Sequence, residues 1–374
     1  MGKRKGITRR EFLGTTAAGI AVYGVGCGSS DAPTAVPPIG AADSGPDVPA
    51  LEAGQSAVAI VGGTGNVEDA VRRAILLSGG LDEIQEGDTV FIKPNAVHPF
   101  VDDKPGVVTS SAVLSALIRI VRERKPGKIT VGDRSSRGFT SKMAFEQSGM
   151  EEAALAAGAD EVYPAPEPAK DPEAWVLLQP AKWDETWKDV GGILAMKRLL
   201  DADHVINVPV CKDHRWAMHS LALKNFIGGV GDDSREPMHY IVGDPDRLGR
   251  DIAILNQMFA PLLNLIDAWS AVVNGGPEGI LGDQVVTSPK LIIAGRDRVA
   301  IDAMGVALLK YEQKGVTVAD PDKAQEFLKA NGPWKMPQIV HAIERGLGVA
   351  GPDKVVLRFD GVGPAEALEA IFRS

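Results

Sequence analysis

Short, unbroken apolar runs alternate along the chain with segments whose apolar positions recur every three or four residues. Ala57–Val61, Thr89–Lys93, Lys128–Val131, His204–Val210, Leu263–Asp267, Leu291–Ala294 and Val355–Phe359 are of the first kind and predict strands. Val67–Leu77, Ser110–Arg122, Ser141–Ala157 and Val299–Leu309 are of the second kind and predict helices. Continuous Val, Ile and Leu runs suit strands covered on both faces, and the helical segments between them suit crossover connections. The expectation is therefore an α/β fold: a mainly parallel sheet with crossover helices and its site at the carboxyl ends of the strands. Residues 163–190 break the alternation with Pro164, Pro166, Pro168, Pro172 and Pro180 and with Trp175, Trp183 and Trp187. They read as an irregular excursion pinned to the body by its aromatic rings.

The body begins at Ser56. Ahead of it, Arg9-Arg10-Glu11-Phe12-Leu13 opens a weakly apolar run that ends at Val25. Thirteen residues from Leu13 to Val25 fall short of the roughly 20 that a bilayer-spanning helix needs. Paired arginines before such a run resemble a twin-arginine export signal, here residues 1–26. Gly24-Val25-Gly26-Cys27 resembles a lipoprotein cleavage box, which makes Cys27 the lipidated first residue of the mature chain. Residues 27–55 are rich in Pro, Ala, Gly, Ser and Asp. They have too little apolar surface to offset ordering and read as a flexible tether reaching about 30 Å. The segment 56–374 is then one α/β body, with a helical portion from about 313 onward.

Composition narrows the function. The 374 residues carry a net charge of −9, and loss of residues 1–26, with five cations against Glu11, takes it to −13. An acidic chain lacks the cationic face that nucleic acid demands, so no nucleic-acid partner is expected. Two cysteines, Cys27 and Cys211, exclude a disulfide framework and any iron–sulphur cluster ligated by this chain alone.

Polar residues just past the strands carry the candidate chemistry. Lys93-Pro94-Asn95 follows one run, with Lys93 suited to an anionic ligand group and Asn95 to its orientation. Asp133, with Arg134, Ser135, Ser136 and Arg137 behind it, ends another. The densest segment runs from Asn207 through Cys211, Lys212, Asp213 and His214 to His219, Lys224 and Asn225, with His239 beyond. His214 and His239 are the candidate metal ligands and proton carriers, whereas Cys211 reads as a buried, inert thiol and His219 as a core or surface residue. Asp267, with the glycines around Gly276, forms the fourth group, in which glycine lets backbone approach a ligand closely. Asp297 reads as a helix N-cap. Gly62-Gly63-Thr64-Gly65 lacks the third glycine of a dinucleotide fingerprint.

Taken in order, the segments IKPN, VGD, INVP-x-x-K-x-H, ALKN-x-x-G, IDA, GP-x-G and D-x-V-A-x-DA resemble the domain of unknown function family 362 over about residues 88–310. The resemblance implies an α/β fold and a site built on Lys93, Asn95, Asp133, Asn207, Lys212, His214, Lys224, Asn225, His239, Asp267 and Gly276. Some relatives are described as iron–sulphur proteins, from which this chain departs by having Cys211 alone in its body. It departs again where the family's Lys-Thr-His becomes Lys212-Asp213-His214, a carboxylate either aiding a metal or lying on the surface. The expected function is an exported, lipid-anchored enzyme acting on an anionic small molecule by redox or isomerase-type chemistry. Lys93, Lys212 and Lys224 would hold the anion, and a histidine would move protons or bind a metal ion. Asp133 or Asp267 would orient that histidine. The competing expectation is a non-enzymatic, tethered carrier of a metal or anionic cofactor serving a redox partner.

Overall fold

The computed structural model describes residues 50–99, 105–136, 138–180, 185–239, 244–277, 284–316 and 323–374. The twin-arginine signal, Cys27 and the tether up to residue 49 lie outside the described residues, as does Trp183; the His239 side chain does too. Residues 53–374 form one compact unit. Its strands are β1 (Ser56–Val61), β2 (Thr89–Pro94), β3 (Lys128–Asp133), β4 (Glu161–Pro164), β5 (Trp175–Leu178), β6 (Ile193–Met196) and β7 (His204–Val208). They continue with β8 (Val210–His214), β9 (Met218–Ser220), β10 (Leu263–Asn274), β11 (Val285–Thr287), β12 (Leu291–Gly295) and β13 (Val355–Asp360).

The main sheet runs β13-β1-β12-β10-β7-β2-β3-β4. Every neighbouring pair along it is parallel except the two made by β12, which lies antiparallel to β1 and β10. The fold is thus the expected α/β type with one reversed strand. Side chains alternate between two cores, as period 2 requires. Val58, Ile60, Phe91 and Ile266 face the helices Pro245–Asn256, Arg298–Glu312, Pro337–Glu344 and Ala365–Phe372. Ala59, Val61, Ile92 and Leu265 face Val67–Leu77, Ser111–Arg122 and Met150–Ala156.

Helix ends follow their local chemistry. The Asn66, Ser110 and Thr140 side chains accept backbone N–H groups of the first turn. Asp297 Oδ1 accepts both Val299 N and Ala300 N at 2.9 Å, so it is the N-cap it was expected to be. The segment Ser141–Ala157, expected as one helix, is two, because Gly149 at φ 70° turns the chain between Gln147 and Met150. The Pro-rich excursion is held by Trp187, whose buried indole donates to the Ser234 carbonyl at 2.7 Å.

The largest departure follows the run His204–Val210. It was expected as one strand; instead β7 ends at Val208, and β8 begins at Val210 and continues to His214. β10 is long enough to pair with β7 at Leu263–Asn264 and with β8 at Asp267–Val272. Cys211 through Asp213 and His214 are therefore strand residues that extend the sheet past its carboxyl edge.

Helix Pro245–Asn256 crosses helix Pro337–Glu344 at Gly249, where an added Cβ would stand 2.6 Å from Pro337 Cβ and 2.8 Å from Gln338 N. Alanine is worth about 1 kcal/mol over glycine in a helix interior, but overpacking against immovable backbone costs about 1–3 kcal/mol. Gly249→Ala is expected to lower stability, measured as a drop in the urea midpoint at unchanged slope.

Candidate functional site

Four strand ends meet where β2, β3, β7 and β8 leave the sheet. Lys93 is fully buried, and its Nζ donates to Asp133 Oδ1 at 2.7 Å and to the Pro94 carbonyl at 3.2 Å. Burial pushes the Lys93 amine below its ordinary range, and the Asp133 carboxylate opposes that. Asp133 also accepts Ala96 N at 2.7 Å and Arg134 N at 2.9 Å. Backbone crowds this pair: a Cβ on Gly228 would collide with Asp133 Oδ1 and stand 2.7 Å from Lys93 Nζ. Behind it Arg235, also buried, donates to the carbonyls of Val230, Ser135 and Arg134 at 2.7–2.9 Å. Burial pulls its guanidinium down to about 10 against the pull of Asp232 and Asp133.

A row of side-chain amides crosses the same edge. Asn207 Nδ2 donates to Asn264 Oδ1 at 3.0 Å, and Asn225 Nδ2 donates to Asn207 Oδ1 at 2.8 Å. Asn95 Nδ2 donates to Asn225 Oδ1 at 3.0 Å, and Lys212 Nζ reaches Asn95 Oδ1 at 3.4 Å and the Val107 carbonyl at 2.7 Å. Each amide has one orientation that satisfies its neighbours, so the row holds Lys212 at its head. Asn207 and Asn225, expected as ligand contacts, place their side-chain amides on one another and on the neighbouring strands. Asn95 and Lys224 are half-buried.

Strand alternation settles Cys211 and His214. Three residues apart on β8, they point to opposite faces of the strand. Cys211 is buried against the Gly305 carbonyl, and burial pushes its thiol up. His214 is buried on the Lys212 face, and its Nδ1 accepts Trp216 N at 3.1 Å and Ala217 N at 3.2 Å. A neutral imidazole accepting at Nδ1 carries its proton on Nε2. Metal-bound histidines do the reverse, donating from the nitrogen that is not the ligand. Among the described residues no three His, Cys, Asp or Glu side chains stand close enough to hold a metal ion.

The remaining carboxylates have other duties than orienting histidine. Asp267 accepts Ser110 N at 2.8 Å and Trp269 N at 3.0 Å. Asp213 is buried rather than on the surface and accepts Gly276 N at 2.8 Å. A Cβ on Gly276 would collide with the Asp213 carbonyl, so that glycine admits backbone rather than a ligand. The histidine that does face a carboxylate is His219, whose Nε2 lies 3.8 Å from Asp302 Oδ2 in the core. Sequence reasoning missed Thr109, whose hydroxyl joins Asn95 N and the Val208 carbonyl, and Asn264 at the foot of the amide row. Thr109-Ser110 before a helical run was a legible N-cap signal; Asn264 inside an apolar run was the only mark of the other.

Burial raises the Asp267 carboxyl above its usual range, while the Ser110 and Trp269 backbone N–H groups oppose this. A raised folded value contributes stability below about pH 3.9, and that contribution is lost as the pH climbs through the folded value. Asp267→Asn is therefore expected to gain on the wild type as the pH rises from 3.5 to 7, read by urea denaturation across that range.

Residues 90–307 match the family model described as Domain of unknown function (DUF362). The thylakoid-associated protein sll1697 of Synechocystis sp. is 25% identical over 302 residues, covering 76% of this chain and 87% of that one. Among solved structures, the lactate racemase apoprotein from Thermoanaerobacterium thermosaccharolyticum gives a TM-score of 0.39 at 15% identity, covering 61% of this chain and 53% of that one. A protein from Thermotoga maritima gives 0.33 at 12% identity, over 54% of this chain and 49% of the other. The chain thus spans about half the length of either solved structure.

Proposed function

This chain belongs to the DUF362 family, and from that premise we propose that it is an exported, lipid-anchored enzyme that moves a proton on a small carboxylate-bearing molecule. The observation that carries the reading is that one hydrogen-bonded row links Lys212, through Asn95 and Asn225, to the backbone of Lys93, whose buried amine pairs with Asp133, at the strand ends of an acidic chain. A local cationic site inside an anionic surface focuses small anions.

The roles divide by exposure. Lys224 and Asn95, half-buried, meet an incoming carboxylate first. Lys212, held by the amide row, supplies the inner cation and the proton carrier. His214 Nε2–H is a fixed donor for negative charge that develops on a substrate oxygen, the preorganised kind of stabilisation that needs no rearrangement during reaction. Lys93 and Asp133 clamp the loops around this space, and their role here is positioning rather than substrate contact.

One observation favours a second reading. Lys93 and Lys212 are 0% and 1% exposed, burial that suits long retention of a ligand. A tethered carrier of an anionic cofactor for a redox partner would keep its ligand stoichiometrically through gel filtration and turn nothing over.

The enzyme reading predicts that a screen of small carboxylates in heavy water finds one whose carbon-bound proton exchanges in the presence of wild type. Lys212→Met should lower that exchange by at least about a hundredfold, in the range of a lost general acid or base. No exchange with any carboxylate, or equal exchange by the variant, overturns the reading. Export has its own test. Arg9→Lys with Arg10→Lys should leave the chain in the cytoplasmic fraction, and Cys27→Ser should release it from membranes into the soluble envelope fraction.

A further inference from the structure

Strands β8 and β9 form a hairpin in which Lys212 faces Ser220 and His214 faces Met218. Directly opposed residues of an antiparallel pair put their side chains on the same face with Cβ atoms about 4.5–5.5 Å apart. Lys212, His214 and Ser220 therefore share one face, the one that Lys212 presents to Asn95 and Val107. Cys211, Asp213 and His219 take the other.

Ser220 stands out on that face. It is 4% exposed, and its Oγ is buried without a hydrogen-bond partner among the described residues. A hydroxyl buried unpaired has lost its water without a replacement, which weighs against the fold. Its neighbours on this edge are amply satisfied: Thr109, Asn207 and Asn225 each make two or more hydrogen bonds. The hairpin is also held away from relaxed geometry. Met218 sits at φ 63°, and His219 N donates to the Ala217 carbonyl at 2.7 Å across it. A three-residue turn with a positive φ at a side-chain-bearing residue is strained. Gln338 Nε2 clamps the same stretch through the carbonyls of Ala217 and His219 at 2.7 and 3.0 Å. Strain at one residue and a desolvated hydroxyl two residues on both weigh against the fold, which is the pattern of a site organised for something other than stability.

We propose that Ser220 Oγ is a ligand-contacting hydroxyl, donating a hydrogen bond to an oxygen of the same anion that Lys212 neutralises. The inference rests on the anion-binding reading of this site and adds to it a neutral donor that fixes the orientation of the bound group. Contact requires β9 to turn outward as the anion arrives while β8 keeps Lys212 in the amide row, and Trp216, exposed at the hairpin tip, moves with β9. The ligand class is a small di-anion with oxygens on one plane or tetrahedron, able to meet Lys212 and Ser220 together.

The test uses oxalate and inorganic phosphate as probes, titrated calorimetrically into wild type, Ser220→Ala and Lys212→Met, with melting temperatures measured in parallel. Binding by wild type, with about tenfold weaker binding and an unchanged or raised melting temperature in Ser220→Ala, is the expected result. Equal affinity in wild type and Ser220→Ala, with binding lost in Lys212→Met, overturns the role of Ser220 and leaves the anion site standing. A wild type that binds neither probe overturns both. A melting temperature lowered by several degrees in Ser220→Ala makes the hydroxyl structural and also overturns the proposal. Ser220→Thr and Ser220→Val, which share the added methyl and differ in the hydroxyl, check that bulk is not the cause: only Thr should keep the affinity.

Discussion

The burial of hydrogen-bonding groups at the carboxyl edge governs this molecule. An amide or ammonium taken out of water must find partners, and an unmet group costs more than a met one returns. The row from Asn264 through Asn207, Asn225 and Asn95 to Lys212 meets that demand with side chains from β10, β7, the short helix Ala222–Asn225, the end of β2, and β8. None of these elements shifts alone without leaving a donor or acceptor bare. The row therefore does for the edge what close packing does for the two cores: it permits one arrangement.

The Lys93–Asp133 pair works by the same logic with charge. Removing one partner would strand the other in a dry setting, whereas the intact pair, with two further backbone donors on Asp133, is self-sufficient. Gly228 is part of that arrangement because only a residue without a side chain lets its backbone close over the pair. What the pair holds together is the convergence of three loops, and the cationic character of the site follows from that convergence. Arg235 extends the pattern by spending its fork on three carbonyls at loop ends that the sheet leaves unpaired.

Much of the fold was legible because a parallel strand buried on both faces can only be written in apolar residues. The runs at Ala57, Thr89, Lys128 and Leu291 all became strands near their expected bounds. The polar residues after them were legible as a group but not in their duties. Asn207 and Asn225 could be placed at strand and helix ends, yet nothing in the spacing says that they bond to each other. Asp213 looked like a surface or metal carboxylate because its partner, Gly276, is far away in sequence. The run His204–Val210 was legible as strand, but no apolar run after it marked Cys211–His214 as the continuation of a second one. Proline removes one donor, and a strand tolerates it where the neighbouring chain needs none at that point. Here Asp267 N takes the Pro209 carbonyl at 2.8 Å, and the strand goes on.

The sheet order has a bearing on how the chain comes to exist. β1, the first of the described strands, lies between β12 and β13, both of which follow it by more than two hundred residues. During synthesis at about 5–20 residues per second, β1 waits on the order of ten seconds or more for either neighbour. Its two open edges are a template for unwanted pairing throughout that time. The closed sheet accordingly sets side by side strands made far apart in time, so β1 gains its partners only after most of the described sheet has been synthesised.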